Sequence, residues 1–226
     1  MDKKQKVRRI FDSISSKYDF LNHFLSAGID LYWRKKALKL TGISSESIIL
    51  DVACGTGDFS IAAQKFGAEK IFGVDLSINM LKHFSKKSDL GKGLTVQSIA
   101  EKLPFKDNSF TNITVAFGVR NFYNISEGFD SFYRVLTKNG KVTILEFRLP
   151  ENKFIKSLYG FYFDRSLPLI GRFFSKDKDA YTYLPESVND FDQKINLVKL
   201  LTESGFSAVS KYSLTFGIVQ VVIAKK

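Results

Sequence analysis

Short apolar runs alternate with amphipathic stretches along the middle of the chain. Runs rich in β-branched residues predict strands at about 48–53, 70–75, 94–98, 111–116 and 141–147, and the stretches between them predict helices at about 58–66, 77–87 and 126–137. This alternation predicts an α/β fold, a doubly wound and mostly parallel sheet with right-handed crossovers and helices on both faces. Ser77 and Ser126 are the expected N-caps of two helices.

The two ends of the chain depart from this pattern. Residues 207–213 and 217–224 are two strand-like runs joined by a short turn, so we expect an antiparallel C-terminal hairpin. Within residues 1 to about 40, Val7, Ile10, Phe11 and Ile14 recur at helical spacing and predict an amphipathic helix. An unusually aromatic segment follows it. This N-terminal part either packs on the sheet or forms a helical cover over a ligand.

The segment from Ile48 to Asp58, IILDVACGTGD, predicts a buried strand that runs into a glycine turn and then a helix. Gly55 and Gly57 allow the backbone to turn sharply and to approach a ligand closely, which a Cβ atom would obstruct. Thr56 or Asp58 could cap the following helix. The turn fits any nucleotide-like ligand, so the identity of the ligand has to come from other residues.

A carboxylate after the next strand supports a nucleotide-like ligand. Asp75 ends the strand KIFGVD about 20 residues after the glycine turn, where a carboxylate can bind both hydroxyls of a ribose. A dinucleotide-binding fingerprint requires a third glycine, and Ser60 occupies that position. A nicotinamide or flavin site is therefore disfavoured, and a tight turn without a ligand remains the structural alternative.

Composition excludes several classes of protein. At 226 residues, one α/β domain with an independent core is expected, and no second domain is apparent. The single cysteine, Cys54, excludes an internal disulfide framework and fits a reducing compartment. His23 and His83 lie far apart without cysteine partners, so we expect no zinc or other metal site. We expect neither a secretory signal nor a spanning helix, hence a cytoplasmic protein, soluble or peripheral at a membrane.

Charge and aromatic residues indicate a surface for an anionic partner. The net charge of +11 would attract nucleic acid or an anionic membrane, although a lysine-rich soluble surface explains it equally well. Residues from about 150 to 190 form an insertion dense in Phe and Tyr and interleaved with Lys and Arg. This aromatic-basic insertion suits an amphipathic lid or an interfacial surface, with ordinary packing of extra helices as the alternative.

Seven motifs follow one another from about Arg8 nearly to the final strand. In order they are FDSISSKYDFLNHFLSAGIDLYWRKKAL, LDVACGTGDFSI, AEKLPF, VAFGVRNF, RVL, LEF and AYTYLPESV. At this spacing the chain resembles the menaquinone/ubiquinone biosynthesis C-methyltransferases, which are class I S-adenosylmethionine-dependent methyltransferases. The N-terminal block and FGVRN are specific to that family, whereas the glycine turn is shared with many methyltransferases. VAFGVRNF and AYTYLPESV are closest to the demethylmenaquinone methyltransferases.

The resemblance implies an activity, a cofactor and partners. The activity is methyl transfer from S-adenosylmethionine to a ring carbon of a polyprenyl quinol, either demethylmenaquinol or, as the alternative, a benzoquinol of ubiquinone biosynthesis. The prenyl tail keeps such a substrate in a bilayer, so transient contact with the inner face of the membrane is implied, with no nucleic-acid partner and a homodimer left open. The implied cofactor contacts are Asp51, Gly55, Thr56, Gly57, Asp75, Leu76, Met80, Ile99, Ala100, Glu101 and Ala116.

The same resemblance places Arg120 and Asn121, directly after the fourth strand, beside the reacting ring, and Tyr18 close enough to orient it. A guanidinium stays protonated, so Arg120 would stabilise a phenolate or order a water that accepts its proton. A structural salt bridge is the alternative role for Arg120. The transfer requires no metal, because it needs only a nucleophilic carbon held in line with the donor methyl group.

The chain departs from the family pattern in several places. Ile99 stands where a polar side chain could meet the adenine amino group, so the backbone of Ala100 would have to bind there instead. Thr111 replaces a usual Asp before the fourth strand, and residues 138–140, Lys-Asn-Gly, replace a Pro-Gly-Gly turn. A histidine common in the last strand is missing. FGVRN is intact, so the implied activity stands.

A nucleic-acid methyltransferase is the rival that also fits the fold and the charge. Enzymes that methylate carbon 5 of pyrimidines generally need a cysteine nucleophile, and Cys54 belongs to the glycine turn. Methylation of a base amino group usually goes with an Asn- or Asp-Pro-Pro-aromatic motif, but every proline in this chain is isolated. Both features disfavour a nucleic-acid substrate.

Overall fold

A seven-stranded sheet organises the residues that the structure, a computed structural model, describes: 3–162 and 178–226. The strands are β1 (Ile48–Val52), β2 (Lys70–Asp75), β3 (Thr95–Gln97), β4 (Phe110–Ala116), β5 (Leu136–Phe147), β6 (Ser207–Leu214) and β7 (Val219–Lys225). Their order is β3-β2-β1-β4-β5-β7-β6. The first five strands are parallel, and β7 is antiparallel to β5 and β6. The predicted fold and its C-terminal hairpin are confirmed.

Helices surround the sheet. They are α1 (Lys3–Ile14), α2 (Tyr18–Leu25), α3 (Ile29–Thr41), α4 (Asp58–Lys65), α5 (Ile78–Lys87), α6 (Ile125–Val135), α7 (Lys153–Phe161), α8 (Lys178–Lys194) and α9 (Leu197–Glu203). The predicted helices agree within two residues. The largest difference is at β5, which begins at Leu136 rather than at residue 141, because Leu136 already pairs with Phe110 of β4.

Two of the predicted helix caps are wrong. Asn124 rather than Ser126 caps α6, since its Oδ1 accepts the backbone N–H of Ser126 at 3.1 Å. Helix α4 begins after Gly57 without a side-chain cap, because Thr56 and Asp58 make hydrogen bonds to other side chains. The predicted cap at Ser77 is confirmed, where Oγ accepts the N–H of Met80 at 3.1 Å.

The core has two layers because successive residues of a strand point to opposite faces of the sheet. Leu50 of β1 belongs to the layer under α6 and α9, and Ile49 belongs to the layer under α3 and α4. Phe129 and Phe132 of α6 are fully buried in the first layer, and Trp33 of α3 is buried in the second. Both layers extend to the carboxyl ends of the strands, where Val52 belongs to the first and Phe117 to the second.

The N-terminal segment lies over the carboxyl edge of the sheet. Helix α1 buries Val7 and Ile10, as its spacing predicted. The side chains of Asp12 and Ser77 are hydrogen-bonded, and Nζ of Lys3 donates to the carbonyl of Phe122 at 2.5 Å. These contacts hold α1 against the start of α5 and against the loop that follows β4. Among the described residues, no helix is long and apolar enough to cross a membrane.

The α6 layer supplies a test of the packing. Phe132 is fully buried and meets Phe122 edge-on, with ring centroids 5.9 Å apart. Phe132→Ala should lower the free energy of unfolding by about 3–5 kcal/mol, through lost burial and the cavity left behind. Urea denaturation measures this change. Phe154→Ala is the matched control, because that side chain is exposed on α7 and its truncation should change stability by less than about 0.5 kcal/mol. Equal effects of the two variants would contradict this packing.

Candidate active site

The carboxyl ends of β1, β2 and β4 form a cavity beneath α1, which we call the cofactor cavity. Ligands of open α/β sheets bind at this edge. Tyr18 and Asn121 line the cavity together with Phe11 of α1. Eight of the residues predicted to bind the cofactor line it: Gly55, Asp75, Leu76, Met80, Ile99, Ala100, Glu101 and Ala116.

The Asp75 carboxylate organises the glycine turn. Its Oδ2 accepts the N–H of Gly55 and its Oδ1 accepts the N–H of Ser77, both at 2.8 Å. Burial raises the pKa of Asp75 to about 6, against the opposing effect of these backbone N–H groups. An ionised carboxylate has about four acceptor sites, so Asp75 keeps the capacity to accept two ribose hydroxyls.

Thr56 and Gly57 belong to the glycine turn but do not line the cavity. Gly57 has a φ of +86°, and a Cβ atom built on it would lie 2.1 Å from the Phe84 ring, so only glycine fits. The hydroxyl of Thr56 donates to the Asp19 carboxylate and ties the turn to α2. These two residues shape the turn from outside the cavity, and their predicted contact with the cofactor stays a prediction.

Asp51 is also outside the cavity lining. It is buried in β1, where Ser60 Oγ donates to one carboxylate oxygen at 2.6 Å and Thr114 Oγ1 donates to the other at 3.1 Å. Burial raises its pKa to about 7, although both hydroxyls favour the ionised form. In this conformation Asp51 braces β1 against α4 and β4.

The cofactor cavity is narrow. Its free volume is about 90 Å³. Cavities that hold ligands of cofactor size usually measure about 300–1,000 Å³. Lys4, Val7 and Arg8 of α1 form part of its lining. The types of residue in the lining fit S-adenosylmethionine, and a ligand of that size needs more room than this conformation leaves.

A second and larger cavity adjoins the first. Its volume is about 640 Å³ and its lining is mainly apolar, so we call it the apolar cavity. Phe11, Tyr18 and Phe117 line both cavities and therefore mark their junction. Helix α7 forms one wall with Ile155 and Tyr159. Residues 163–177 of the aromatic-basic insertion lie outside the described residues.

Arg120 lines the apolar cavity from within a buried ion pair. Its Nη1 donates to Oε1 of Glu146 at 2.7 Å and to the carbonyl of Phe117 at 2.6 Å, and Glu146 is fully buried in β5. Burial alone would lower the pKa of Arg120, but Glu146 and the nearby Tyr18 and Tyr183 raise it. The guanidinium is therefore a permanent cation, fixed at the cavity wall.

Asn121 and Tyr183 connect the two cavities. The Tyr183 hydroxyl donates to Oδ1 of Asn121 at 2.8 Å. Tyr183 lines the apolar cavity and Asn121 lines the cofactor cavity, so their hydrogen bond crosses the junction. Sequence reasoning missed Tyr183 and Glu146. The available signals were the motif AYTYLPESV and a carboxylate inside the apolar strand that ends in LEF.

Three side chains near the apolar cavity are of types that bind metal ions. Ligand atoms of His23, Asp30 and Asp58 lie within 4.8 Å of one another. Two cations already occupy them, because Arg34 pairs with Asp30 and Asp58, and Lys87 pairs with Asp58. The arrangement is an ion-pair network in which a metal ion would have to displace two cations.

The whole chain is similar in sequence to known proteins. Residues 1–226 match the ubiE/COQ5 methyltransferase family. The demethylmenaquinone methyltransferase of Chlorobaculum tepidum is 41% identical, over 99% of this chain and 93% of its own length. The ubiquinone/menaquinone biosynthesis C-methyltransferase UbiE of Geotalea daltonii is also 41% identical, over 100% of this chain and 98% of its own length.

Solved structures agree on the fold. A SAM-dependent methyltransferase from Aquifex aeolicus superposes with a TM-score of 0.61 at 19% identity, covering 85% of this chain and 88% of its own. The [4+2]-cyclase SpnF superposes with a TM-score of 0.67 at 13% identity, covering 100% and 97%. Because a cyclase shares the architecture, the fold alone does not specify the reaction.

The role of Asp75 gives a prediction for cofactor binding. Asp75→Ala should weaken S-adenosylmethionine binding by about 1.5–3 kcal/mol, roughly 10- to 150-fold, through loss of a charge-assisted hydrogen-bond pair. Calorimetry measures this directly. Asp75→Asn is the matched variant, since it keeps the size of the side chain but not its charge. Near wild-type affinity of both variants would discard the assignment.

The raised pKa of Asp75 gives a second, pH-dependent prediction. In the free protein the carboxyl takes up a proton as the pH falls through about 6, and the protonated form loses acceptor sites for the ribose. Affinity should therefore be highest above that pH and fall roughly tenfold per pH unit below it. Calorimetry from about pH 7 to about pH 5 tests this. Asp75→Asn should remove that dependence, and a wild-type affinity independent of pH would contradict the assignment.

Proposed function

The chain belongs to the ubiE/COQ5 methyltransferase family, and we propose that it methylates a ring carbon of a polyprenyl quinol, with demethylmenaquinol as the substrate. The observation that carries this proposal is the junction of the two cavities. The cofactor cavity, whose lining includes Gly55 and Asp75, adjoins the apolar cavity of about 640 Å³, and Tyr18 lines both. A benzoquinol of ubiquinone biosynthesis is the alternative, supported by relatives named for both pathways.

The reaction defines what the protein has to provide. When bound, S-adenosylmethionine supplies a methyl carbon on a sulfonium sulfur, and that C–S bond breaks as the bond to the ring carbon forms. The quinol gives up one phenolic proton before attack, and the ring carbon loses its proton afterwards as aromaticity returns. The phenolate oxygen then takes up a proton again, so one proton is released in net. The chain must therefore align the ring, stabilise a phenolate and remove protons.

Arg120 is assigned to the phenolate. The guanidinium stays charged beside Glu146 and lines the apolar cavity, so it can stabilise negative charge that develops on the ring oxygen. Its Nη1 is committed to Glu146 and Phe117, and its Nε lies 3.4 Å from Ser187 Oγ. No described residue hydrogen-bonds to Nη2, which leaves that group for the substrate. A permanent cation cannot itself accept the proton.

Tyr18 and Asn121 are assigned to alignment of the ring. Tyr18 lies at the junction, where burial raises the pKa of its phenol, so it remains a neutral hydrogen-bonding group. Asn121 has its amide oxygen held by Tyr183 and its Nδ2 lies 3.4 Å from the carbonyl of Phe117. Asn121 is thus fixed before the ring arrives, which is what an in-line transfer requires.

A membrane contact completes the proposal. Phe154, Leu158 and Phe161 form an exposed apolar stripe along α7, and Phe216 is 80% exposed in the turn before β7. Leu158, Phe161 and Phe216 also line the apolar cavity, so its mouth lies within this surface. A prenyl tail leaving the mouth would pass directly into a bilayer. The basic residues of α1 would add attraction to anionic lipid, namely Lys3, Lys4, Lys6, Arg8 and Arg9.

The proposal includes no nucleic-acid substrate and leaves the oligomeric state open. An apolar cavity with few charged groups is suited to a prenylated ring and not to a nucleotide of a polyanionic chain, so we propose no nucleic-acid substrate. Homodimerisation stays a prediction.

Arg120 provides the kinetic test of the function. Single-turnover mixing of wild-type protein, S-adenosylmethionine and reduced demethylmenaquinone should give a methylated quinol detectable by mass spectrometry. Arg120→Ala should slow this step by roughly 100- to 1,000-fold with little change in cofactor affinity, because it removes stabilisation present only in the transition state. Arg134→Ala is the matched control, because this half-buried guanidinium also pairs with a carboxylate, Asp107, but lines neither cavity. An Arg120→Ala protein that turns over normally would end this assignment.

The membrane contact has a separate test. Co-sedimentation with vesicles containing anionic lipid should fall as salt rises, since each basic residue near the surface contributes about 1 kcal/mol that salt screens. Phe161→Ala should weaken binding further at every salt concentration, because the ring no longer enters the bilayer. Tyr212→Ala, an exposed aromatic of β6, serves as the control. Binding that ignores salt, anionic lipid and Phe161 alike would contradict the contact.

A further inference from the structure

A second guanidinium lines the apolar cavity besides that of Arg120. Arg34 of α3 is only 4% exposed, and its Nη1 donates to Oδ2 of Asp30 at 2.5 Å. Asp30 is itself buried and is held in place by Ser26, whose Oγ donates to Oδ1 at 2.7 Å. Arg34 is therefore a cation fixed by a buried carboxylate, as Arg120 is by Glu146. The proposed function has so far given Arg34 no role.

The hydrogen-bonding capacity of Arg34 is only partly used. Its Nη2 lies 3.9 Å from Oδ2 of Asp58, which makes an ion pair but is too long for a hydrogen bond. Across residues 3–162 and 178–226, Nη2 has no hydrogen-bond acceptor, and the buried Nε of Arg34 has none either. Buried donors without an acceptor are rare in native proteins, because leaving them unsatisfied is costly. Nη2 is therefore available to an acceptor on a ligand in the apolar cavity.

Both guanidiniums contact Phe117, which lies at the junction of the two cavities. Nη1 of Arg120 donates to the carbonyl of Phe117 at 2.6 Å, and Cζ of Arg34 lies 5.4 Å from the centroid of the Phe117 ring. Burial raises the pKa of the Tyr18 phenol, and the charges of Arg120 and Arg34 both oppose that effect. The two cations therefore lie at the same end of the apolar cavity, beside the cofactor cavity.

The proposed substrate carries two oxygens, at opposite ends of its reacting ring. Arg120 is assigned to the oxygen beside the carbon that is methylated, where the phenolate forms. The second oxygen, beside the carbon that bears the prenyl chain, stays a hydroxyl whose lone pairs accept hydrogen bonds. In a mainly apolar cavity it loses its hydration and requires a donor from the protein. Three other donors of the lining are already committed, since Trp33, Tyr162 and Tyr183 donate to Thr215, Leu25 and Asn121.

We propose that Nη2 of Arg34 donates a hydrogen bond to the second oxygen of the bound quinol, the one opposite the phenolate. Arg120 and Arg34 then hold the ring at both ends, which fixes the direction in which the reacting carbon faces the methyl group. No bond to Arg34 forms or breaks, so its contribution is to bind the substrate and to select for a ring with two oxygens. This inference rests on the proposed function, because it requires a quinol in the cavity.

The test compares two ligands that differ by one oxygen. One is reduced demethylmenaquinone with a short prenyl chain, and the other is the corresponding naphthol, in which hydrogen replaces the hydroxyl beside the prenyl-bearing carbon. The half-saturating quinol concentration in single-turnover methylation and the inhibition constant of the naphthol against that reaction give the two affinities. Wild-type protein should bind the naphthol roughly 10- to 150-fold more weakly than the quinol, the range for a hydrogen bond to a charged group.

Arg34→Lys removes the proposed contact with little disturbance of the fold. The lysine keeps a positive charge beside Asp30 but lacks the planar fork that carries Nη2. The half-saturating quinol concentration should rise roughly 10- to 150-fold, whereas the inhibition constant of the naphthol should stay within about twofold, because the naphthol never made this contact. The variant should therefore bind the two ligands about equally well.

Lys87→Gln is the matched control. Lys87 pairs with Asp58 in the same ion-pair network as Arg34 but lines neither cavity, so its loss should change both affinities by the same factor. Thermal unfolding checks that each variant is folded. Calorimetry with S-adenosylmethionine should give the wild-type affinity for Arg34→Lys, because Arg34 does not line the cofactor cavity.

The outcomes separate the two proposals. If wild-type protein methylates no quinol, the proposed function fails and the Arg34 contact fails with it. If wild-type protein methylates the quinol but binds the naphthol equally well, or if Arg34→Lys weakens both ligands by the same factor, the function stands and the contact is overturned. Weaker binding of S-adenosylmethionine by Arg34→Lys, with unchanged quinol binding, also overturns it, because Arg34 would then serve the cofactor. A loss confined to the quinol in Arg34→Lys, and absent from Lys87→Gln, supports the contact.

Discussion

A buried cation determines how this site is built. A guanidinium at the wall of an apolar cavity has to be paired, because an isolated buried charge costs far more than the fold can offset. Glu146 supplies the pair from inside β5, where it is fully buried, and it also accepts the backbone N–H groups of Arg120 and Phe147. One carboxylate in an apolar strand thus fixes the charge, the position and the orientation of Arg120.

The remaining elements arrange two ligands around that point. The parallel strands end at one edge, where Asp75 and the glycine turn form the cofactor cavity. Helices α2, α3 and α7 enclose the apolar cavity beside it. Tyr18 belongs to both cavities and to the N-terminal segment, so it lies where the two ligands would meet.

The sequence predicted the sheet well because alternating strand and helix patterns are local properties. Helix caps were less predictable. Ser126 and Asn124 are both residue types that cap helices well, and the local sequence does not show that Asn124 is the cap. Tyr183 and Asn121 are 62 residues apart, and no local sequence pattern predicts their hydrogen bond. His23 looked like an isolated histidine for the same reason. Its partner Asp30 is seven residues away, across a helix end, and the cavity beside them forms only in the folded chain.

The most direct test of the central claim is a paired mass-spectrometric measurement of demethylmenaquinone incubated with the protein and S-adenosylmethionine, with and without a chemical reductant. A phenolate held by Arg120 can form only on the reduced ring, since the oxidised quinone has no phenolic proton to lose and is electron-poor at carbon. The account predicts a product heavier by one methylene group in the reduced sample alone. Rapid methylation of the oxidised quinone, or an unmodified quinol in the reduced sample, would contradict it.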